Sequence, residues 1–338
     1  MQFFYFHLPW LIDEKEYNCS GRSNAEWQSR GSVNLFQGIY FSTMGTIFLV
    51  LYVLAMIGMY RGRLLSVPCY KIMFLNGFVD VIELIITTYA IPYFHFTGGV
   101  FCSLRTLDWI VGHFVYANWC GSTFNCFALA LNRIVEVIPA ANRFRFLFHG
   151  RAPLAWIFAS ISLMIMTAFT TRPIPYNSKV SAILNTPVIS DDAEWEYYHY
   201  TSLFVFLYNF AVVVMLSVPY TILCSYMWRH RKDLIRFDAI QRQLLVQVLC
   251  LCFPTLFVAV VYALVELLDV PHPLVIFVNI NWQLSHGLHG LVYLRFNTQI
   301  RKEIFYLFGK KPKSSSTVSM AHTALTQTAR MAFSKTSA

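Results

Sequence analysis

The stretch FNCFALALNRIVEVIPA, Phe124 to Ala140, runs apolar for almost two turns, sets Asn132 and Arg133 side by side, then returns to apolar residues. An arginine at the centre of a bilayer costs about 2.5–3.5 kcal/mol on insertion scales. Either this stretch lies outside a membrane or its arginine lies at a membrane boundary. Composition decides between the two. Of 338 residues, 57% are apolar and 13% charged, against roughly 45–50% and about 25% in soluble proteins. Thirty Phe and nineteen Tyr add an aromatic load that a water-facing surface cannot easily hide. The chain reads as an all-α integral membrane protein.

A spanning helix needs about 20 mostly apolar residues. Seven stretches qualify, near 35–60, 70–96, 104–132, 152–171, 200–228, 243–268 and 273–296. Asp80, Glu83 and Asp108 interrupt the second and third. The expected architecture is a seven-transmembrane helix bundle over 35–296, with an outer segment 1–34, a short amphipathic interfacial helix 297–311 and a disordered cytoplasmic tail 312–338. In the interfacial helix Ile300, Ile304, Leu307 and Phe308 share one face, flanked by Arg301, Lys302, Lys310 and Lys311, a pattern suited to anionic lipid. The tail holds eleven Ser or Thr in its last 25 residues and lacks the apolar surface to fold.

The net charge of +9 does not point to nucleic acid, because no zinc-ligand spacing or Gly-rich phosphate loop accompanies it. The basic residues fall between apolar runs and follow membrane topology. Twenty of the 26 lie on one side, among them Arg61, Arg63, Arg143, Arg145, Arg229, Arg231, Arg236, Arg295 and the basic carboxyl segment. That side is expected to be cytoplasmic, with the amino terminus outside. The amino end has no basic leader region or small-residue cleavage site and reads as a translocated tail. Asn18-Cys19-Ser20 forms a glycosylation sequon on the outer side, as does the acidic run Asp191, Asp192, Glu194 and Glu196 an external loop.

With this topology Arg133 sits at the cytoplasmic end of the third span, where it can snorkel to the interface or face the bundle. The first possibility makes it a topology anchor. The polar neighbour Asn132 favours the second, a switch residue at a coupling face. Asp80 and Glu83 share a face of the second span, and intramembrane carboxylates are functional candidates. Asp80 is expected either in a conformational network or simply bonded to Asn279 or Asn281. Asp108 is expected to pair with Arg105 three residues earlier, its competing role being to hold a cationic ligand. A ligand pocket is expected between the outer halves of the helices, where aromatics gather: Tyr89, Tyr93, Trp109, Phe114, Tyr116, Phe204, Tyr262 and Trp282.

The chain resembles a nematode serpentine chemoreceptor of class T, within the G-protein-coupled receptors, from about Tyr17 to Phe308. The marks are YNCS with Trp27, SVPCYKIMFLNGFVDVIEL, FCSLRTLDWIVG, LALNRIVEV and SHGLHGLVYLRFNTQIRKEI, in that order. The resemblance implies an odorant or pheromone receptor of ciliated sensory neurons, at the plasma membrane and in the sensory cilium. Its partners are a small-molecule ligand, a heterotrimeric G protein and membrane lipid, with no cofactor. It implies that Arg133 matches the arginine of a D-R-Y element whose acid is replaced by Asn132 and whose tyrosine is replaced by Ile134. Arg229, Arg231 and Arg236 fall in the matching G-protein contact loop. Asp80 matches an aspartate that joins a sodium and water network. Tyr293 matches the tyrosine of N-P-x-x-Y, with His289-Gly290 where Asn-Pro stands. Pro219 and Pro254 match kink prolines and Trp156 a fourth-span tryptophan, and Asn281 joins the expected switch set with Asp80, Tyr293 and Pro254. Such receptors usually bridge the third span to the second external loop, but residues 172–199 contain no cysteine. Cys19 and Cys102, the two in the oxidising compartment, are expected to pair. The other six cysteines are expected to be buried.

Other classes fare less well. His286 and His289 give an H-x-x-H spacing, but a di-iron enzyme needs several such boxes and the other histidines are scattered. A transporter or ligand-gated channel is the alternative reading, disfavoured by an odd span count without internal symmetry. Residues 273–296 contain no lysine for a retinal Schiff base, so the protein is not an opsin.

Overall fold

The computed structural model describes residues 2–230, 239–267 and 271–309. Seven long helical spans form the bundle: Leu35–Arg61, the interrupted run Pro68–Thr97, Arg105–Val137, Ala152–Thr170, Leu203–Arg229, Ala239–Leu267 and His272–Phe296. They are called the first to seventh spans below. Four of them, the first, fourth, fifth and sixth, are long and apolar enough to cross a membrane on composition alone. The other three fall short because they carry the polar groups that face the interior, including Asp80, Asn125 and His289. Outward the bundle is apolar, with Phe36, Val50, Phe158, Val214 and Phe253 each more than half exposed. In water that surface is costly; against lipid it is not.

The third span is the axis of the fold. Of its 33 residues 23 are buried, whereas the fourth span buries three of 19. It packs against the second, fourth, fifth and sixth spans, while the seventh closes the ring against the sixth, first and second. Arg133 is accordingly buried, as is Asn132, with which its guanidinium is hydrogen-bonded. The snorkelling anchor expected as one reading of Arg133 is not what the packing shows.

Prolines shape two of the spans. Pro92 has no N–H and crowds the carbonyl four residues back, and just before it the second span widens into a π-helical turn over Ile86–Ala90, the Ile91 N–H reaching back to Ile86. Thr87 and Thr88 are buried in that turn. Pro254 leaves the Cys250 carbonyl without its helical partner. The carbonyls on either side of it take side-chain donors: Tyr220 donates to Leu249 (2.5 Å), and His289 Nε2 lies 2.8 Å from the Leu251 oxygen.

Gly290 sets how closely the seventh span approaches the first. A Cβ there would lie 2.9 Å from Tyr52 Cα, in backbone that cannot yield. Gly290→Val is therefore expected to destabilise the bundle by about 1–3 kcal/mol, the cost of overpacking. The thermal midpoint of purified protein measures it, and an unchanged midpoint would show that the two helices separate freely.

Past the seventh span, Asn297 caps the helix Thr298–Leu307, accepting from the Gln299 and Ile300 amides. The same side chain donates to Tyr70 at 2.5 Å. The expected apolar face is divided: Ile300 and Ile304 pack against the first span, while Leu307 and Phe308 are exposed. The part of 297–311 beyond Gly309, and the expected tail 312–338, lie outside the described residues. Cysteine burial is also split. Cys69, Cys120, Cys126 and Cys252 are buried, but Cys224 is exposed on the outer face of the fifth span and Cys250 half-buried.

Candidate functional site

At the amino-terminal end of the bundle a cavity of about 560 Å³ opens between the third, fifth, sixth and seventh spans. Its wall includes Tyr116, Trp119, Asn209, Tyr262, Asn279 and Trp282, with the loop Val180–Thr186 over it. Among the described residues no charged side chain lines it. Asn279 Nδ2 donates to the Tyr176 hydroxyl (3.0 Å) and the Ser181 carbonyl (3.1 Å), leaving its buried Oδ1 without a partner. Trp119 Nε1 is already given to Asn209 Oδ1 at 3.1 Å.

The loop over the cavity is held rigidly. Tyr176–Asn177 pairs with Ala182–Ile183 as a short antiparallel hairpin. Asp108 accepts from the Tyr176 amide at 2.7 Å, the Tyr176 hydroxyl lies 2.7 Å from His95 Nε2, and Gln37 donates to Ser181 Oγ at 3.0 Å. Gly112 lets the loop backbone touch the third span, since a Cβ there would lie 2.9 Å from the Ile174 amide.

Of the expected pocket residues, Tyr116, Tyr262 and Trp282 line the cavity. Asp108 and Trp109 do not. The expected Arg105–Asp108 pair is replaced by Asp108 to Tyr176 and by Arg105 to Glu14 (2.8 Å), because the loops fold over the start of the third span and supply closer partners. Trp109 is buried and donates to the Pro9 carbonyl at 2.8 Å. Tyr89, Tyr93 and Phe114 lie on exposed outer faces, and Phe204 packs against Phe3 and Phe4. Trp119, Asn209, Asn279 and the loop 180–186 complete the wall. The spacing of Trp119 from Tyr116 could have indicated a shared helix face; nothing local marks the loop.

Deeper in the bundle lies a polar core around Asp80. Tyr52 donates to its carboxylate at 2.5 Å and Asn76 at 2.8 Å. His286 and His289 each place Nδ1 2.7 Å from it. Asn125 of the third span donates to Asn76 at 3.3 Å. The expected partners Asn279 and Asn281 are not there: Asn279 belongs to the cavity, and Asn281 donates to its own helix at the Phe277 carbonyl. A helix turns by 3.6 residues, so residues 286 and 289 face Asp80 while 281 points elsewhere. His286 and His289, set aside above as an incomplete metal motif, are its principal neighbours. Tyr293 is buried with its ring against Tyr52, and Glu83 is buried one turn along from Asp80. Trp156 stacks on Phe148 and donates to the Leu147 carbonyl at 3.0 Å.

At the far end of the third span lie Asn132 and Arg133. Arg229 is exposed at the end of the fifth span. Arg231 and Arg236 lie outside the described residues.

The amino-terminal segment is bonded down over the cavity end. Cys19 and Cys102 form a disulfide, and Asn18 beside it is exposed. Glu16 is bonded to Arg172 (3.1 Å) and His199 (2.8 Å). Burial alone raises the Glu16 pKa, but the bonds from His199 and Arg172 outweigh it and hold the carboxyl below its usual 4.5. Its contribution to docking is therefore complete above pH 4.5 and is lost as the pH falls through the lower folded value. Amide exchange across residues 2–17 is expected to speed up on acidification in the wild type. Glu16→Gln is expected to exchange faster at neutral pH and to change little on acidification; an acid response as steep as the wild type's would assign it elsewhere.

A seven-helix membrane bundle with a covered cavity at one end and a buried polar core beneath it is the architecture of a serpentine receptor. The family described as serpentine type 7TM GPCR chemoreceptor Srt matches residues 1–317. The chain is also similar to serpentine receptor class T-55 of Caenorhabditis elegans, 23% identical over 297 residues that cover 86% of this chain and 80% of that one. The chain belongs to the Srt family of seven-transmembrane chemoreceptors.

Proposed function

We propose that this receptor admits an uncharged small molecule to the cavity and relays its binding through the seventh span to a heterotrimeric G protein. The observation that carries this reading is the seventh span itself. Trp282 lies on the cavity wall, and His286 and His289, one and two turns further on, lie on Asp80. A ligand that shifts Trp282 must move the groups that hold five spans together. The described lining carries no charge, which disfavours ionic ligands, since they would be desolvated without a counterion. The unpartnered Asn279 Oδ1 favours a ligand with one hydrogen-bond donor, such as an alcohol.

The cavity end is assigned outward, at the plasma membrane of a sensory cilium, with Asn18 as a glycosylation site. The disulfide at that end and the basic excess at the other support this orientation. Asn132, Arg133, Arg229, Arg231 and Arg236 are assigned to the G-protein face, and Asp80, Pro254 and Tyr293 to the switch. Asn281, on its own helix carbonyl, is not part of this proposal.

G-protein activation in cells exposed to panels of alcohols, ketones and esters tests the proposal. Arg133→Ala at equal surface expression is expected to abolish the response. Trp282→Ala is expected to shift the half-maximal concentration by about tenfold, equivalent to about 1.4 kcal/mol. A ligand-evoked current that persists with G proteins blocked would support a channel instead.

A further inference from the structure

Residues 2–17 lie across the outer ends of the third to fifth spans. Their backbone bonds to Thr170, Phe169 and Leu203, and this lays His7 against the third span. His7 Nε2 lies 2.5 Å from His113 Nε2. In each ring the other nitrogen is already committed: His7 Nδ1 faces the Tyr5 carbonyl at 3.1 Å, and His113 Nδ1 faces the Trp109 carbonyl at 2.7 Å. A carbonyl only accepts, so each Nδ1 carries the proton. In the neutral rings both Nε2 atoms are then bare lone pairs aimed at one another. They repel unless a cation lies between them. An imidazole with Nε2 forward and its Nδ1–H held by a backbone carbonyl is also how proteins orient a metal ligand.

We propose that His7 and His113 form a two-imidazole site for a divalent transition metal of the Zn²⁺ or Cu²⁺ type, which clips the amino-terminal segment to the third span. Bonds of about 2.0–2.1 Å at tetrahedral angles put two ligating nitrogens about 3.3 Å apart. The rings must therefore part by less than about 1 Å to admit the ion. His7 can move that far, because it is half-exposed and sits on irregular backbone. Water completes the shell, since among the described residues no cluster of three or more His, Cys, Asp and Glu is placed to hold a metal.

Aromatic rings and charged groups surround the pair. The Tyr5 ring stacks on His7 and the Trp109 ring packs against His113. Two charged groups face the pair: Arg172, its guanidinium 4.1 Å over the Tyr5 ring, and Asp13, which accepts from the Tyr5 hydroxyl at 2.7 Å. His113 precedes Val115 and Tyr116 of the cavity wall by two and three residues, so the ion would tie the segment to a helix that contacts the ligand.

The test uses the full chain in lipid nanodiscs at neutral pH, titrated separately with zinc chloride and copper chloride. Calorimetry gives the stoichiometry, and amide exchange across residues 2–17 gives the docking. One equivalent of metal is expected to bind and to slow exchange of the segment several-fold. Both effects should vanish in His7→Ala and in His113→Leu, and both should survive in His272→Ala, which removes an exposed histidine at the same end. An unchanged metal-free thermal midpoint in His7→Ala shows that the fold is kept. Absence of binding in the wild type, binding retained by both variants, or docking that tightens as the pH falls but does not respond to metal would each overturn the proposal; the last would identify a shared proton.

Discussion

Asp80→Ala is expected to destabilise the receptor by about 3–5 kcal/mol, the cost of stripping one partner from a buried ion pair. Four donors converge on the Asp80 carboxylate, from Tyr52, Asn76, His286 and His289, and four is what an ionised carboxylate can accept. Both nitrogens of His289 face acceptors, the carboxylate on one side and the Leu251 carbonyl on the other. A ring that donates from both nitrogens is an imidazolium. The pair is fully buried, and removing the carboxylate would leave the cation without its paired counter-charge. The double variant Asp80→Leu with His289→Leu should recover part of the loss, because replacing a buried pair by apolar side chains is often neutral. Thermal unfolding in detergent measures both. An Asp80→Ala midpoint equal to wild type would mean that the pair is not ionised. The imidazolium also stands where a receptor of this architecture was expected to place a sodium ion, so wild-type stability should not respond to sodium.

Cys19→Ser and Cys102→Ser are each expected to cost about 4 kcal/mol. The bridge closes a segment of 83 residues, and cross-linking a loop of that order removes about 4–5 kcal/mol of entropy from the unfolded chain, with engineered cases often giving less. The double variant should be no worse than either single one, since both break the same bond. Surface expression and thermal midpoint test this together; losses that add would show that each cysteine matters separately. The bridge also holds Tyr17 and Trp27 in the packed layer above the third span, where Trp27 donates to the Cys19 carbonyl at 2.9 Å. Its loss should therefore loosen the amino-terminal segment before the bundle.

The number of spans, their order and the family were legible in the residues. The first, fourth, fifth and sixth spans are local sums: about 20 apolar residues in a row bury enough surface in lipid to hold a helix whatever surrounds it. Arg133 and Asp80 stood out for the same reason, as polar groups where a lipid-facing helix admits none. The two cysteines could be paired by eliminating the others.

Partners were not legible. The sequence points Asp80 towards the seventh span but does not say whether 281 or 286 faces it, because that depends on the rotation of the helix. Asp108 was matched with its neighbour in sequence, although the Tyr176 amide, 68 residues away, holds it in the fold. The cavity depends on Ile174 to Thr186 crossing the bundle mouth, a path that no periodicity encodes. The meeting of His7 with His113 joins residues 106 apart. Hydropathy is a property of a window of chain, and it specifies where helices lie. Which side chains meet is set by helix rotation, by close approach at Gly290 and Gly112, and by loops that settle only once the bundle has packed.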